Sequence, residues 1–383
     1  MSYKVSTNLV LRILVLLSCW SPTCSSSVNG NGSENSINAT TSAPTTNSSS
    51  VEKGVDENVI STLNIALAVG FITTFLVSLL GNSLVIHVVR TTPYMYTSVN
   101  LYIANMAFSD IISAIVCTPV SLKIVLNDYS WIDGLVGLVL CRIVFLLFYS
   151  SFACSTFNLI AIAVDRYLAV TKPLYRYSFR KAKIRIAVIW TASSILSIPI
   201  ILGYVNTFEK GRKIAPGCYD LDRDKPYKVG VTIMALLCYI IPLVCATILY
   251  TMTGCRLRMR SKSNIGCYSL QRQIQAKQST FKATKLMVTV IVVFALCWAP
   301  FFAYHVVKGW YDDKLWYIFK TYYRPLGFLL ASTNGALNPC LYLLFNSNFR
   351  NGFKRALLCR KETRRKSKSF ELRSKRDSKK QLP

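Results

Sequence analysis

Acid, histidine and charge as a whole are scarce in this chain. Asp and Glu total 17 against 45 Lys and Arg, His occurs twice, and only 16% of the 383 residues are charged. The two histidines, His87 and His305, stand too far apart in sequence to form one catalytic or metal centre, which argues against an enzyme. No internal repeat is visible, which argues against a transporter. No filter motif or charged ring suggests a channel. A net charge of +28 would suit nucleic acid, but no soluble basic domain is left over to bind it, so nucleic acid is not an expected partner.

Apolar residues supply what charge does not, at 52% of the chain. They gather into seven runs, near 61–89, 98–126, 138–170, 184–204, 229–250, 286–307 and 317–345. Each approaches or exceeds the ~20 residues that a helix needs to cross a bilayer core. Backbone in hydrocarbon must satisfy its own hydrogen bonds, so the expected fold class is an all-α membrane protein, a seven-transmembrane helix bundle. A short amphipathic eighth helix, begun by Phe349 and Phe353 among Arg and Lys, should follow the last span. The expected organisation is an N-terminal region 1–58, a membrane domain 59–345, the amphipathic segment 346–359 and a basic tail 360–383.

The excess positive charge is topological. Lys172, Arg176, Arg180, Lys181, Lys183 and Arg185 follow the third span; Arg256, Arg258, Arg260, Lys262 and Arg272 follow the fifth; the tail continues the pattern. An odd number of spans puts these segments on one side, which the positive-inside rule makes cytoplasmic, facing anionic membrane lipids. The opposite end is then extracellular. It begins with a short apolar run at 10–17 that suits a cleaved signal peptide. A Ser/Thr/Asn-rich stretch at 25–50 carries glycosylation acceptors at Asn31, Asn38 and Asn47. Most of the 13 cysteines lie within spans, where a thiol packs as a small hydrophobe. Cys359, in basic sequence past the last span, is a palmitoylation candidate, with an unmodified thiol as the alternative.

Polar and proline interruptions distinguish the spans. Asn82 and Asp110 lie deep in the first and second. A carboxylate at that depth needs partners or a cation. Ser155 in the third span and Asn334 and Asn338 in the seventh supply the oxygens that a hard cation such as sodium prefers; a hydrogen-bonded cluster without an ion satisfies the same residues. Asp165-Arg166-Tyr167 ends the third span. Trp190 and Pro199 mark the fourth, Pro242 and Tyr250 the fifth, Cys297-Trp298-Ala299-Pro300 the sixth, and Asn338-Pro339 with Tyr342 the seventh. Internal prolines remove helical hydrogen bonds and create places to bend.

In this order, with Gly81-Asn82 and the Leu101-Tyr102-Ile103-Ala104 run leading to Asp110, the motifs closely resemble those of the class A (rhodopsin-like) G protein-coupled receptors over residues 59–359. The resemblance implies a plasma-membrane receptor, not an enzyme, that relays extracellular agonist binding to a heterotrimeric G protein. Arrestin and a receptor kinase would be further partners. It implies a disulfide between Cys141 and Cys218. By the same resemblance, Arg166 would be held by Asp165 at rest and released toward Tyr250 and Tyr342, while Trp298 would report ligand occupancy to the Pro300 kink. Receptors of this class need no cofactor beyond an allosteric sodium ion. Where some members carry an acidic lock low on helix six, this chain has Thr280 between Lys277 and Lys282, so its inactive state should be less firmly held.

Amine receptors of the class place an aspartate where this chain has Phe148, which argues against an amine ligand. Phe301, Phe302 and His305 share a helical face above Trp298. Tyr149, Phe152 and Phe328 complete a candidate aromatic pocket, for which plain packing is the alternative. Acidic residues of the outer loops (Glu209, Asp220, Asp222, Asp224, Asp312, Asp313) favour a basic ligand. Residues 294–300 resemble RFamide-type receptors, and the whole resembles the neuropeptide Y, RFamide and tachykinin group. A short extracellular peptide ligand is therefore expected, with a lipid or other small molecule as the alternative.

Overall fold

Seven helices long and apolar enough to cross a bilayer account for most of the described residues. The computed structural model describes residues 57–126, 131–132, 134–172, 179–202, 204–206, 218–220, 225–263, 270–310 and 323–358. Asn31, Asn38, Asn47, Cys359, the tail, and Glu209, Asp222, Asp224, Asp312 and Asp313 lie outside the described residues.

The helices are α1 (Glu57–Thr91), α2 (Ser98–Val125), α3 (Gly134–Thr171) and α4 (Phe179–Ile201). The fifth span, α5, runs through Lys225–Ala235, a π-helical turn Leu236–Ile240 and Ile241–Ser263. Then come α6 (Leu270–Trp310), α7 (Arg324–Phe345) and α8 (Ser347–Leu357). Several extend beyond the apolar runs, because hydropathy registers only the part that meets hydrocarbon. Around 17% of the lipid-length window of α1 is buried, against 44% for α3 and for the seventh span and 50% for α6, so these three are the most enclosed helices of the bundle. Outward faces carry exposed Ile65, Val69, Leu80, Val188, Val244 and Leu296, as a lipid-facing surface requires.

One boundary needs correcting. The fourth span ends at Ile201, not Tyr204, and Tyr204 instead opens a strand. The all-α bundle carries a short hairpin there: β1 (Tyr204–Asn206) pairs antiparallel with β2 (Cys218–Asp220), Asn206 opposite Cys218. Three-residue strands separated by eleven residues carry no periodic signal, which is why hydropathy passes over them. The hairpin lies against α3.

Local chemistry sets the helix ends. Thr97 caps α2, its hydroxyl accepting from the Asn100 amide at 3.3 Å. Asn346 caps α8, its side-chain oxygen accepting from the Asn348 amide at 3.0 Å. The expected amphipathic helix is present: Phe349, Gly352 and Phe353 are buried, while Arg350, Lys354 and Arg355 are exposed. A methyl group on Gly352 would stand 2.3 Å from Val88, so only glycine lets α8 lie this close to α1.

Candidate functional site

The polar centre forms where α1, α2, α3 and α7 meet. Asp110 is 6% exposed, and both carboxylate oxygens are engaged. Ser155 Oγ donates to Oδ1 at 3.0 Å, and Asn338 Nδ2 donates to Oδ2 at 2.9 Å. Ser109 and Ser155 hydroxyls lie 3.1 Å apart. Asn82 Nδ2 donates to the carbonyls of Ser78 at 2.9 Å and Gly335 at 3.0 Å, tying α1 to α7. A Cβ on Gly335 would come within 3.2 Å of the Asp110 side chain, so the small residue permits this close helix approach.

A cavity of about 20 Å³ adjoins the carboxylate, lined by Asp110, Ser151, Ser155, Trp298 and Asn334 among others. One water-sized guest needs roughly 10–15 Å³. Ser151 Oγ and Trp298 Nε1, both lining it, are buried without a hydrogen-bond partner in the protein. A bound water would satisfy both groups, whereas a cation would be met by Ser151 Oγ alone, since the Trp298 N–H only donates. Among the described residues no three His, Cys, Asp or Glu side chains converge, so a transition-metal site is not what the cavity offers. One carboxylate with hydroxyl and amide oxygens is instead the donor chemistry that a hard monovalent cation takes. Asn338 turns its NH₂ to Asp110 and acts as the carboxylate's partner.

Above this cavity the aromatic residues of α3, α6 and α7 form one buried cluster. The ring of Phe148 lies 6.2 Å from Trp298, 5.9 Å from Phe301 and 6.1 Å from Phe328, the last pair stacked. Phe152 is 4.0 Å from Trp298 and 5.5 Å from Phe302. Phe301 lies 4.3 Å from His305 and 5.0 Å from Phe328. Tyr149 contacts Phe148 at 5.1 Å. Edge-to-face and offset pairs at these separations each contribute about 0.5–1.5 kcal/mol beyond simple burial.

Pro300 has no N–H to give the Leu296 carbonyl, so α6 is one hydrogen bond short there. One residue earlier, Tyr239 in the π-helical turn donates its hydroxyl to the Ala295 carbonyl at 2.8 Å and stacks on Phe302 at 4.8 Å. The π turn falls just before Pro242, whose missing N–H a widened turn accommodates.

At the other end of α3, Asp165 is 8% exposed and its Oδ1 makes no hydrogen bond. Arg166 Nε likewise has none, and the guanidinium acts electrostatically on both Asp165 and Tyr250. Tyr342 is buried, its hydroxyl without a protein partner, and its ring stacks on Phe349 at 5.3 Å. Tyr167 is half-buried and its carbonyl accepts from Thr171 at 2.9 Å. Thr280 and Lys282 sit within α6, their side chains outside the described residues.

With this arrangement in hand, comparison with known proteins is decisive. Residues 81–342 match the profile of the 7 transmembrane receptor (rhodopsin family). The chain belongs to that family. It is 31% identical over 288 residues to the tachykinin-like peptides receptor 99D of Drosophila melanogaster, covering 72% of this chain and 53% of that protein. It is also 31% identical over 303 residues to galanin receptor 2b of Danio rerio, covering 77% of this chain and 76% of the relative. Neuropeptide FF receptor 2 of Mus musculus is 29% identical over 331 residues, at 80% and 76% coverage.

In this class A receptor, all seven predicted pocket residues fall in the one aromatic cluster, and Asp110, Ser155, Asn334 and Asn338 fall in the one polar centre. Cys141 is fully buried and disulfide-bonded. Cys218 opens β2, with its side chain outside the described residues. Sequence reading missed Ser151 and Tyr239. Ser151 lies one helical turn before Ser155, a spacing that could have flagged it. Nothing in sequence announces that Tyr239 would turn toward α6.

Proposed function

We propose that this receptor is activated by a short extracellular peptide bearing aromatic and Arg residues, and that it relays binding to a heterotrimeric G protein. The observation that carries the reading is Phe148, a phenyl ring packed on Trp298, Phe301 and Phe328 where an amine ligand would need a carboxylate. An aromatic floor of this kind suits aromatic side chains. The acidic outer-loop residues, Glu209, Asp220, Asp222, Asp224, Asp312 and Asp313, suit a basic ligand by attraction at a distance and by pairing with Arg. Relatives named for tachykinin-like peptides, galanin and neuropeptide FF support a peptide.

Ligand pressure on the cluster shifts Trp298, α6 bends at Pro300, and its cytoplasmic end moves outward. Arg166 then pairs with Tyr250 and Tyr342 and with the C-terminal helix of the G protein. The resting state gains from sodium held by Asp110, Ser151, Ser155 and Asn334; when bound, the ion supplies the positive charge that offsets a buried carboxylate. The receptor sits in the plasma membrane with its N-terminus outside, glycosylated at Asn31, Asn38 and Asn47, and a Cys141–Cys218 disulfide anchors the hairpin to α3. Cys359 carries a palmitoyl chain. A receptor kinase phosphorylates the serines of the tail, which then recruits arrestin.

Cells expressing the receptor with a calcium-coupled G protein provide the test, challenged in parallel with amidated peptides ending in Arg and an aromatic residue, with lipids and with amines. Responses confined to the peptide set are expected. Responses confined to lipids or amines would overturn the reading.

A further inference from the structure

The cytoplasmic end holds a second guanidinium that the switch described above leaves unused. Arg185, in the second turn of α4, is half-buried, and its Nη1 donates a long 3.4 Å hydrogen bond to the hydroxyl of Tyr102 on α2. Tyr102 is fully buried. The bond therefore points Arg185 into the bundle, whereas its neighbours Lys181 and Lys183 are exposed. Asp165 lies across this junction of α2, α3 and α4, nearly buried, with one carboxylate oxygen lacking any donor. Arg185 and Arg166 both act electrostatically on it.

A single buried carboxylate facing two guanidiniums sets up a competition. Each arginine can compensate its charge, and whichever one does so leaves the other available elsewhere. Arg166 has somewhere else to go, since its field also reaches Tyr250. Its departure alone would strand a nearly buried negative charge, which is costly in low dielectric.

We propose that Arg185, oriented by the Tyr102 hydroxyl, takes over Asp165 as Arg166 leaves it, so that the active arrangement never contains an uncompensated carboxylate. Arg185 is then a positioning residue acting through Asp165, and it biases the receptor toward the released Arg166. Together with the absence of an acid at Thr280, this implies measurable agonist-free activity. The inference rests on the G protein reading given above.

The test uses full-length receptor in anionic-lipid nanodiscs, without agonist, reading nucleotide exchange on a panel of purified heterotrimeric G proteins and, separately, thermal unfolding. Arg185→Gln should lower agonist-free exchange by about fivefold or more, the scale set by losing one charge-assisted contact. Arg185→Lys, which keeps the charge without the planar fork, should retain more than half of wild-type exchange. Tyr102→Phe should fall between. In an Asp165→Asn background, Arg185→Gln should have less than half its wild-type effect in each readout, because the carboxylate is gone and only the Tyr102 bond remains to be lost. Equal effects of Arg185→Gln in both backgrounds, in either readout, would overturn the proposal, as would wild-type exchange no higher than empty nanodiscs. Coupling of the two residues in unfolding, with no exchange on any G protein even after peptide challenge, would instead fail the G protein reading, and the switch with it.

Discussion

Replacing Asp110 with Asn probes the polar centre because the amide can keep both contacts while the charge is removed. Its oxygen can accept from Asn338 Nδ2, which now lies 2.9 Å from Oδ2. Its NH₂ can donate to the Ser155 hydroxyl, which now stands 3.0 Å from Oδ1 and accepts as well as donates. Both hydrogen bonds lose their charge assistance, a loss of about 1 kcal/mol each in soluble proteins. The relief of neutralising a buried charge offsets part of it, so in potassium or choline the variant should unfold close to wild type. Sodium separates the two. At ten times its dissociation constant, a ligand confined to the folded state stabilises it by about 1.4 kcal/mol. For a domain larger than 250 residues that is roughly 2 °C in unfolding temperature. Receptor in nanodiscs should therefore gain this shift when sodium replaces choline at constant ionic strength, and Asp110→Asn should gain none. A sodium shift of equal size in the variant, or none in wild type, would refute the cation reading and leave the purely structural cluster.

Peptide mapping without reduction should recover Cys141 linked to Cys218; finding Cys141 joined to another cysteine would remove the anchor proposed for the hairpin. Gly352→Ala forces a methyl group into Val88, now 2.3 Å away, and should destabilise by about 1–3 kcal/mol, read as a lowered unfolding temperature. Val88→Ala in the same chain should recover at least half of that loss; simple additivity would mean the α1–α8 contact is not the cause. Phe152→Ala removes a ring that lies 4.0 Å from Trp298 and 5.5 Å from Phe302, and should weaken peptide responses more than surface expression; unchanged peptide potency would reduce the cluster to packing.

The seven spans were legible because lipid imposes a length and an apolarity that no soluble helix needs. Asp110, Asn338 and Trp298 were legible for the converse reason, as polar or bulky exceptions within those runs. The aromatic face of α6 followed from the spacing of Phe301, Phe302 and His305 on a helix whose period is known. What sequence left hidden depends on distance between helices. The β1–β2 hairpin is set by pairing across a loop, the Tyr239–Ala295 bond by a π turn that no residue pattern encodes, and the Arg185–Tyr102 contact by two helices 83 residues apart in the chain. Arg185 read as one more inward-side cation among several, and only its bond to a buried hydroxyl sets it apart.

Arg166 decides whether peptide binding and G protein activation are joined in this chain as proposed. Arg166→Ala and wild-type receptor, at matched amounts in nanodiscs, would be compared for binding of a labelled peptide identified in the calcium screen and for peptide-stimulated nucleotide exchange. Unchanged peptide affinity with exchange reduced to the level of empty nanodiscs is the expected result, since the residue lies at the cytoplasmic mouth, about five helical turns from Phe148. Wild-type exchange by the variant would contradict it.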